Sequence, residues 1–219
     1  HGVPLAFKDE FYTKDVLTTC GSIILSEFFP DYDATAVART RQAGAIMLGK
    51  LNMTEWATPL TLEFPFGHPR NPWNTDHDAG GSSTGSGSAT AAALCAGALG
   101  EDTGGSGRGP ASYCGVVGLR PTFTRVSRFG MTHMCWFMDA AAPMTKTVED
   151  CAVMLGVVAG YDEKDPYTTR KPVPDYTAKM RDGVKGLRVG LIKELHHTPD
   201  MHPDVRSAIE ASLDTFREM

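Results

Sequence analysis

Two stretches of this chain set serines where a nucleophile could work. They are Gly80-Gly81-Ser82-Ser83-Thr84-Gly85-Ser86-Gly87-Ser88 and Asp102-Thr103-Gly104-Gly105-Ser106-Gly107-Arg108-Gly109-Pro110. In each, a serine follows a glycine pair and precedes a helical pattern. Glycine lets the backbone take positive φ or approach a ligand closely. A helix start adds unpaired N–H groups and a partial positive charge, which suit a developing oxyanion. A serine hydroxyl is a weak nucleophile and needs a base within reach. The same spacing also describes two tight glycine turns with serine caps. Spacing alone does not separate the two readings.

Other patterns compete for the chemistry. Gly81-Ser82-Ser83-Thr84-Gly85 fits the GxSxG nucleophile elbow, with Ser83 as nucleophile. That elbow follows a buried strand, whereas 70–79 is polar and interrupted by Pro72. Gly44 to Lys50 approaches a phosphate-binding loop, but Leu51 stands where a magnesium-binding hydroxyl belongs. His196, His197 and His202, with Asp200 and Asp204, match no zinc spacing and read as a surface loop. His133, Cys135, Trp136 and Met138 could wall a pocket or simply pack, as could Met53 and Trp56.

The elements that would position these residues alternate between strand and helix patterns. Val3 to Phe7 is an apolar run, and Lys8 at its end is placed for burial. On a strand, Asp9 would face away from Lys8. Ala34–Ala43 predicts a helix, with Asp33 as N-cap and Gly44 as its stop. Ala45–Leu48 and Leu187–Ile192 predict buried strands, and Ser83–Cys95 predicts a small-residue helix packed closely against a neighbour. Thr147–Ala159 predicts a helix capped by Thr145 or Thr147, with Val148, Cys151, Ala152, Leu155 and Ala159 on one face. Asp162–Asp182 reads as a surface crossing. Val205, Ile209, Leu213 and Phe216 recur at helical spacing, so both ends read as cut from a longer chain. The alternation predicts an α/β fold in one domain over 1–219.

Composition narrows the function classes. The chain has 219 residues, 42% hydrophobic and 21% charged, enough for a real core. Its net charge is −5 and its 21 Lys and Arg are scattered, which predicts no direct nucleic-acid contact. No run approaches the ~20 apolar residues of a membrane span. Five cysteines without a CxxC pattern predict free thiols and a cytoplasmic protein.

Three blocks together resemble the amidase signature family. They are Gly2-Val3-Pro4-Leu5-Ala6-Phe7-Lys8-Asp9, Gly80-Gly81-Ser82-Ser83, and Asp102-Thr103-Gly104-Gly105-Ser106-Gly107-Arg108-Gly109-Pro110-Ala111. The likeness continues through Gly49 to Trp56, Cys114 to Thr122 and Arg125 to Gly130 in colinear order. It implies a central mixed β-sheet covered by helices on both faces. It also implies a Ser–cis-Ser–Lys triad with Lys8 as base, Ser82 as bridging serine after a cis Gly81–Ser82 peptide, and Ser106 as nucleophile. Cofactors and metals are not part of that chemistry.

On this resemblance, the backbone N–H groups of Thr103, Gly104, Gly105 and Ser106 form the oxyanion hole. Met53, Gly81 and Cys135 are candidates for the substrate pocket, and Asp102 with Arg108 would fix the loop through a carboxylate–guanidinium fork. Lys8 can act as a base only when neutral, a preference worth about 4 kcal/mol that burial or a nearby cation can supply. The expected reaction is hydrolysis of a small-molecule amide through an acyl-enzyme, with anilides, carbamates and esters in its range. Self-association is left open. The alternative within the family is the glutaminase subunit of a tRNA-dependent amidotransferase, of which the Arg125 to Gly130 block is reminiscent. Three positions depart from the family pattern: Gly107 and Gly109, where larger residues are usual, and Thr84 in place of glycine. They predict a roomier floor beside Ser106.

Overall fold

The structure, a computed structural model, describes residues 1–58, 63–196 and 198–219. It divides into two compact units, His1–Thr177 and Ala178–Met219. The first contains strands β1 (Pro4–Lys8), β2 (Ile46–Leu51), β3 (Gly97–Glu101), β4 (Val117–Gly118) and β5 (Ala141–Thr145). Between them run helices α1 (Thr35–Gln42), α2 (Thr84–Ala91) and α3 (Arg108–Cys114), and α4 (Val148–Val158) follows β5. The strands form one mixed sheet in the order β2-β1-β3-β5-β4. β1 runs parallel to β2 and β3, whereas β5 is antiparallel to β3 and β4.

Period-two alternation assigns the sheet's two faces. Phe7 and Leu99 enter a core cluster with Val37 of α1 and Met154, Leu155 and Val158 of α4. Their neighbours Ala6 and Ala98 enter a second cluster with Ala89 of α2 and Cys95. Helices therefore cover both faces, as the family resemblance implied. α2 sits close because its glycines permit it: a Cβ at Gly85 would lie 2.7 Å from the Asn52 carbonyl oxygen, and one at Gly87 2.8 Å from that of Pro110. α4 is capped by Thr147, whose side chain accepts the Asp150 N–H.

Some local expectations require correction. Asp33 does not cap α1; Ala34 is the N-cap residue, and Asp33 instead accepts the Lys14 N–H and pairs with Arg41. β2 is not buried. Among the described residues it pairs only with β1, and Ile46 and Leu48 are exposed on the sheet edge. Val148 likewise lies outside the buried face of α4, where Met154 takes part instead. Leu187–Ile192 forms no strand: no described segment pairs with it, and Leu187, Val189, Leu191 and Ile192 are exposed. The second unit contains α5 (Lys193–His196) and α6 (Pro203–Glu218), the latter capped by His202. His197 lies outside the described residues, and among those described no cluster could hold a metal ion.

β1 and β3 are parallel neighbours in register at Phe7 and Leu99, so their carboxyl ends meet at one edge of the sheet. Lys8 closes β1 and Glu101 closes β3. The segments before α2 and α3 meet them there. Crevices of this kind, at strand carboxyl ends, are where open α/β sheets hold ligands.

Candidate active site

Lys8 is fully buried at the end of β1. Its Nζ donates to Ser82 Oγ at 2.8 Å and to Glu101 Oε2 at 2.8 Å, and it lies 3.4 Å from Glu10 Oε2. Asp9 faces elsewhere, pairing with Lys50 at 3.0 Å and accepting the Thr19 N–H. The expectation that burial lowers the lysine pKa meets an opposing effect. Burial does favour the neutral amine, but Glu10 and Glu101 outweigh it and hold Lys8 above its ordinary value. Glu10 moves upward too: burial pushes its carboxyl well above the usual range, against the pull of Lys8. One Glu10 oxygen, Oε1, meets no hydrogen-bond partner among the described residues, as a buried carboxyl that stays neutral can tolerate better than an ionised one.

Ser82 follows a cis Gly81–Ser82 peptide and is buried, its carbonyl accepting the Thr54 N–H at 3.2 Å. Ser83 is tied into the core. Its Oγ donates to the Glu101 carbonyl at 3.0 Å and accepts the Glu101 N–H at 3.1 Å. A fully buried hydroxyl engaged in this way is not presented to a substrate, so the elbow reading fails at Ser83. Ser106 is half-buried, and its carbonyl accepts the Ser83 N–H at 3.2 Å. Among the described residues no hydrogen bond joins Ser106 Oγ to Ser82 Oγ in this arrangement. The two serines are brought together as walls of one cavity. Catalytic contacts of this type are often long without substrate.

The 102–108 loop is organised by Asp102. Its carboxylate accepts both arms of the Arg108 guanidinium at 2.9 Å and the N–H groups of Gly105, Gly107 and Arg108. Arg120 approaches the same carboxylate at 3.2 Å. Burial opposes ionisation of Asp102, yet the Arg108 fork and the N–H bonds prevail and keep its carboxyl below the ordinary range. One consequence touches the expected oxyanion hole. The Gly105 N–H is turned onto Asp102 Oδ1 at 2.9 Å, whereas the N–H groups of Thr103, Gly104 and Ser106 meet no acceptor among the described residues. Thr103 Oγ1 bonds to Glu101 Oε1 and to Asp139 Oδ1.

The cavity has a volume of about 400 Å³ and is lined by Thr54, Ala57, Gly81, Ser82, Gly104, Gly105, Ser106 and Met134. Of the three expected pocket residues, only Gly81 lines it. Met53 is buried in the core, and Cys135 turns its backbone N–H onto Asp139 instead. Met134, next to Cys135, takes the wall position, and Thr54, next to Met53, takes the other. Each lies one position from a residue that the sequence marks. The roomier floor is not found at Gly107, where a Cβ would lie 2.7 Å from the Ala142 Cβ. Ala142 occupies the space that a side chain there would need.

A family model described as Amidase matches residues 1–219. The chain belongs to the amidase signature family. It is 49% identical over all 219 residues to the A subunit of glutamyl-tRNA(Gln) amidotransferase from Syntrophobacter fumaroxidans, covering 45% of that protein. It is 50% identical over 217 residues, 99% of the chain, to the protein of the same name from Geobacter sulfurreducens, covering 44% of it. The crystal structure of the corresponding Thermotoga maritima protein superposes with a TM-score of 0.95 at 38% identity, over 99% of this chain and 48% of that one. Peptide amidase from Stenotrophomonas maltophilia superposes at 0.76 with 40% identity, over 82% of this chain and 38% of that one. The chain thus spans about half the length of the amidase signature relatives it matches.

These names correct one expectation. A small-molecule amide substrate with no nucleic-acid partner does not agree with relatives named as one component of a glutamyl-tRNA amidotransferase. Scattered Lys and Arg speak only for phosphate contacts on this chain's own surface. They are silent about what an assembly binds. No helix among the described residues is long and apolar enough to cross a membrane.

Proposed function

We propose that this chain carries the amide-cleaving site of a glutamyl-tRNA-type amidotransferase, releasing ammonia from glutamine for a partner that handles glutamyl-tRNA. The observation that supports amide cleavage is the 2.8 Å bond from buried Lys8 to Ser82 at the wall of the cavity that Ser106 shares. The relatives' names support the amidotransferase setting.

In this reading Ser106 Oγ attacks the amide carbon while its proton passes to Ser82, and the proton of Ser82 passes to Lys8. The N–H groups of Thr103, Gly104 and Ser106 receive the oxyanion, in the region where a glycine at 104 leaves room for it. As the tetrahedral intermediate collapses, Ser82 returns a proton to the leaving nitrogen, and water later frees the acyl group. Five free cysteines suit the cytoplasm, where such an assembly would work.

The test measures ammonia release from glutamine by the full-length protein, with and without its partner proteins and glutamyl-tRNA. Release should rise when the partners and the tRNA are added, and Ser106→Ala should abolish it. Robust turnover of aryl amides by the protein alone, with no response to glutamine under any condition, would overturn the amidotransferase reading.

A further inference from the structure

The walls of the catalytic cavity differ in what they can offer a substrate. Gly81, Gly104 and Gly105 present backbone, and Ser82 and Ser106 present the hydroxyls given to the chemistry above. Thr54 and Ala57 are recessed, each only 3% exposed, and the Thr54 N–H is tied to the Ser82 carbonyl. Met134 stands apart from them. Among the described residues lining this cavity it is the single large apolar side chain, and it is 41% exposed. A methionine so placed offers apolar surface that a ligand in the cavity would remove from water.

The backbone that carries Met134 is pinned on both sides. Before it, the Thr132 N–H donates to the Glu10 carbonyl at 3.1 Å. After it, the Cys135 N–H donates to both oxygens of buried Asp139, at 3.0 and 3.1 Å. The Cys135 carbonyl in turn accepts the N–H groups of Met138 and Asp139, at 2.8 and 2.9 Å. Arg120 fastens the far end of the turn, donating to the Met138 carbonyl while it approaches Asp102 at 3.2 Å. Trp136 sets its ring edge-on against Tyr167, with 5.2 Å between centroids. The Met134 side chain enters none of these contacts. A fixed backbone therefore holds out an unbranched side chain with three rotatable bonds, a kind that adapts to the shape of a ligand.

We propose that Met134 selects the acyl group, lying along the unbranched methylene chain of an amide whose carbonyl is held beside Ser106. This rests on the reading of Ser106 as nucleophile and deepens it by naming the substrate class. Around the serines, short side chains and backbone N–H groups suit the polar amide, and Met134 suits the apolar chain attached to it. Glutamine meets that description, with two methylenes between its amide carbon and its α-carbon. The contact touches no reacting atom, so it stabilises bound substrate and transition state alike. Interactions of that kind govern KM and leave kcat almost unchanged. A Met134 that only propped up the wall would act differently: its loss would loosen the turn that Arg120 ties to Asp102, and kcat would fall.

The test measures kcat and KM of the full-length protein, with its partner proteins and glutamyl-tRNA present. Its substrates are glutamine and the straight-chain amides from acetamide to hexanamide. In Met134→Ala, KM for glutamine should rise about tenfold, the scale of a lost methylene contact in an apolar pocket. The kcat should stay within about twofold of wild type. Wild-type KM should fall as the amide chain lengthens, and that dependence should flatten in Met134→Ala. Met134→Leu keeps apolar bulk and should restore most of both. An unchanged KM in Met134→Ala, a loss confined to kcat, a chain-length dependence equal to wild type, or a leucine variant as impaired as the alanine one would overturn the proposal. Should glutamine not be cleaved, the chain-length series decides alone. Ser106→Ala runs in parallel. Turnover that survives it, or no amide turnover by wild type, would sink the underlying reading and the role of Met134 with it.

Discussion

Ser83 spends both valences of its hydroxyl inside the core, on the backbone of Glu101, while Ser82, one residue earlier, meets Lys8. Ser83→Ala should therefore cost about 1–3 kcal/mol of stability, the penalty for leaving a buried N–H and C=O short of a partner. A denaturant titration measures this, and labelling of Ser106 by a serine-reactive probe should survive the change. A Ser83→Ala protein that folds normally but is no longer labelled would revive the elbow. Lys8, Ser82 and Ser106 could be picked out as candidates because each lies within a contiguous block whose residue types resemble the family's, and the structure bonds the first two and sets the two serines on one cavity. The carboxyls around Lys8 could not. Glu101 reaches it through the register of β1 against β3, and Glu10 through the turn after β1. Neither position carries a local pattern that marks it. Asp9 was the neighbour whose charge could conflict with Lys8; it lies just past the end of β1 and pairs with Lys50 instead.

The 102–108 loop is held as a unit by one carboxylate, and its behaviour should follow that carboxylate's titration. The folded pKa of Asp102 lies below its ordinary value. Its contribution to stability is then fully present above the unfolded value of about 3.9 and is lost as pH falls through the folded one. Arg108 is half exposed, so solvent screens part of the fork. Asp102→Asn should cost about 1–3 kcal/mol at neutral pH and less once the pH falls through the lowered value of the wild-type carboxyl. Unfolding free energies measured from pH 2 to 7 check this, and a variant with the wild-type acid dependence would contradict it. Helices at this scale were readable because capping residues and apolar spacing are local: Thr147 and the Cys151–Leu155 face of α4 are examples. Strands were not. β2 has the same apolar composition as a central strand but sits on the edge, and Leu187–Ile192 has that composition with no strand beside it. Pairing is a property of two segments, so one apolar run cannot announce it.

Across the molecule, two parallel strands carry Lys8 and Glu101 to a single edge, and α2 and α3 bring in the loops bearing Ser82 and Ser106. The α/β class followed from alternating patterns, whereas the antiparallel turn at β5 came only with the family resemblance. What an assembly binds was the least legible property, since a net charge of −5 describes this surface and not that of a partner. The proposed function makes one serine, Ser106, the covalent catalyst. The most direct measurement is peptide mapping by mass spectrometry after the full-length protein is quenched during amide turnover. An acyl adduct is predicted on the peptide containing Ser106, absent in Ser106→Ala and strongly reduced in Lys8→Ala. An adduct on the peptide containing Ser83, or undiminished turnover by Ser106→Ala, would contradict the account.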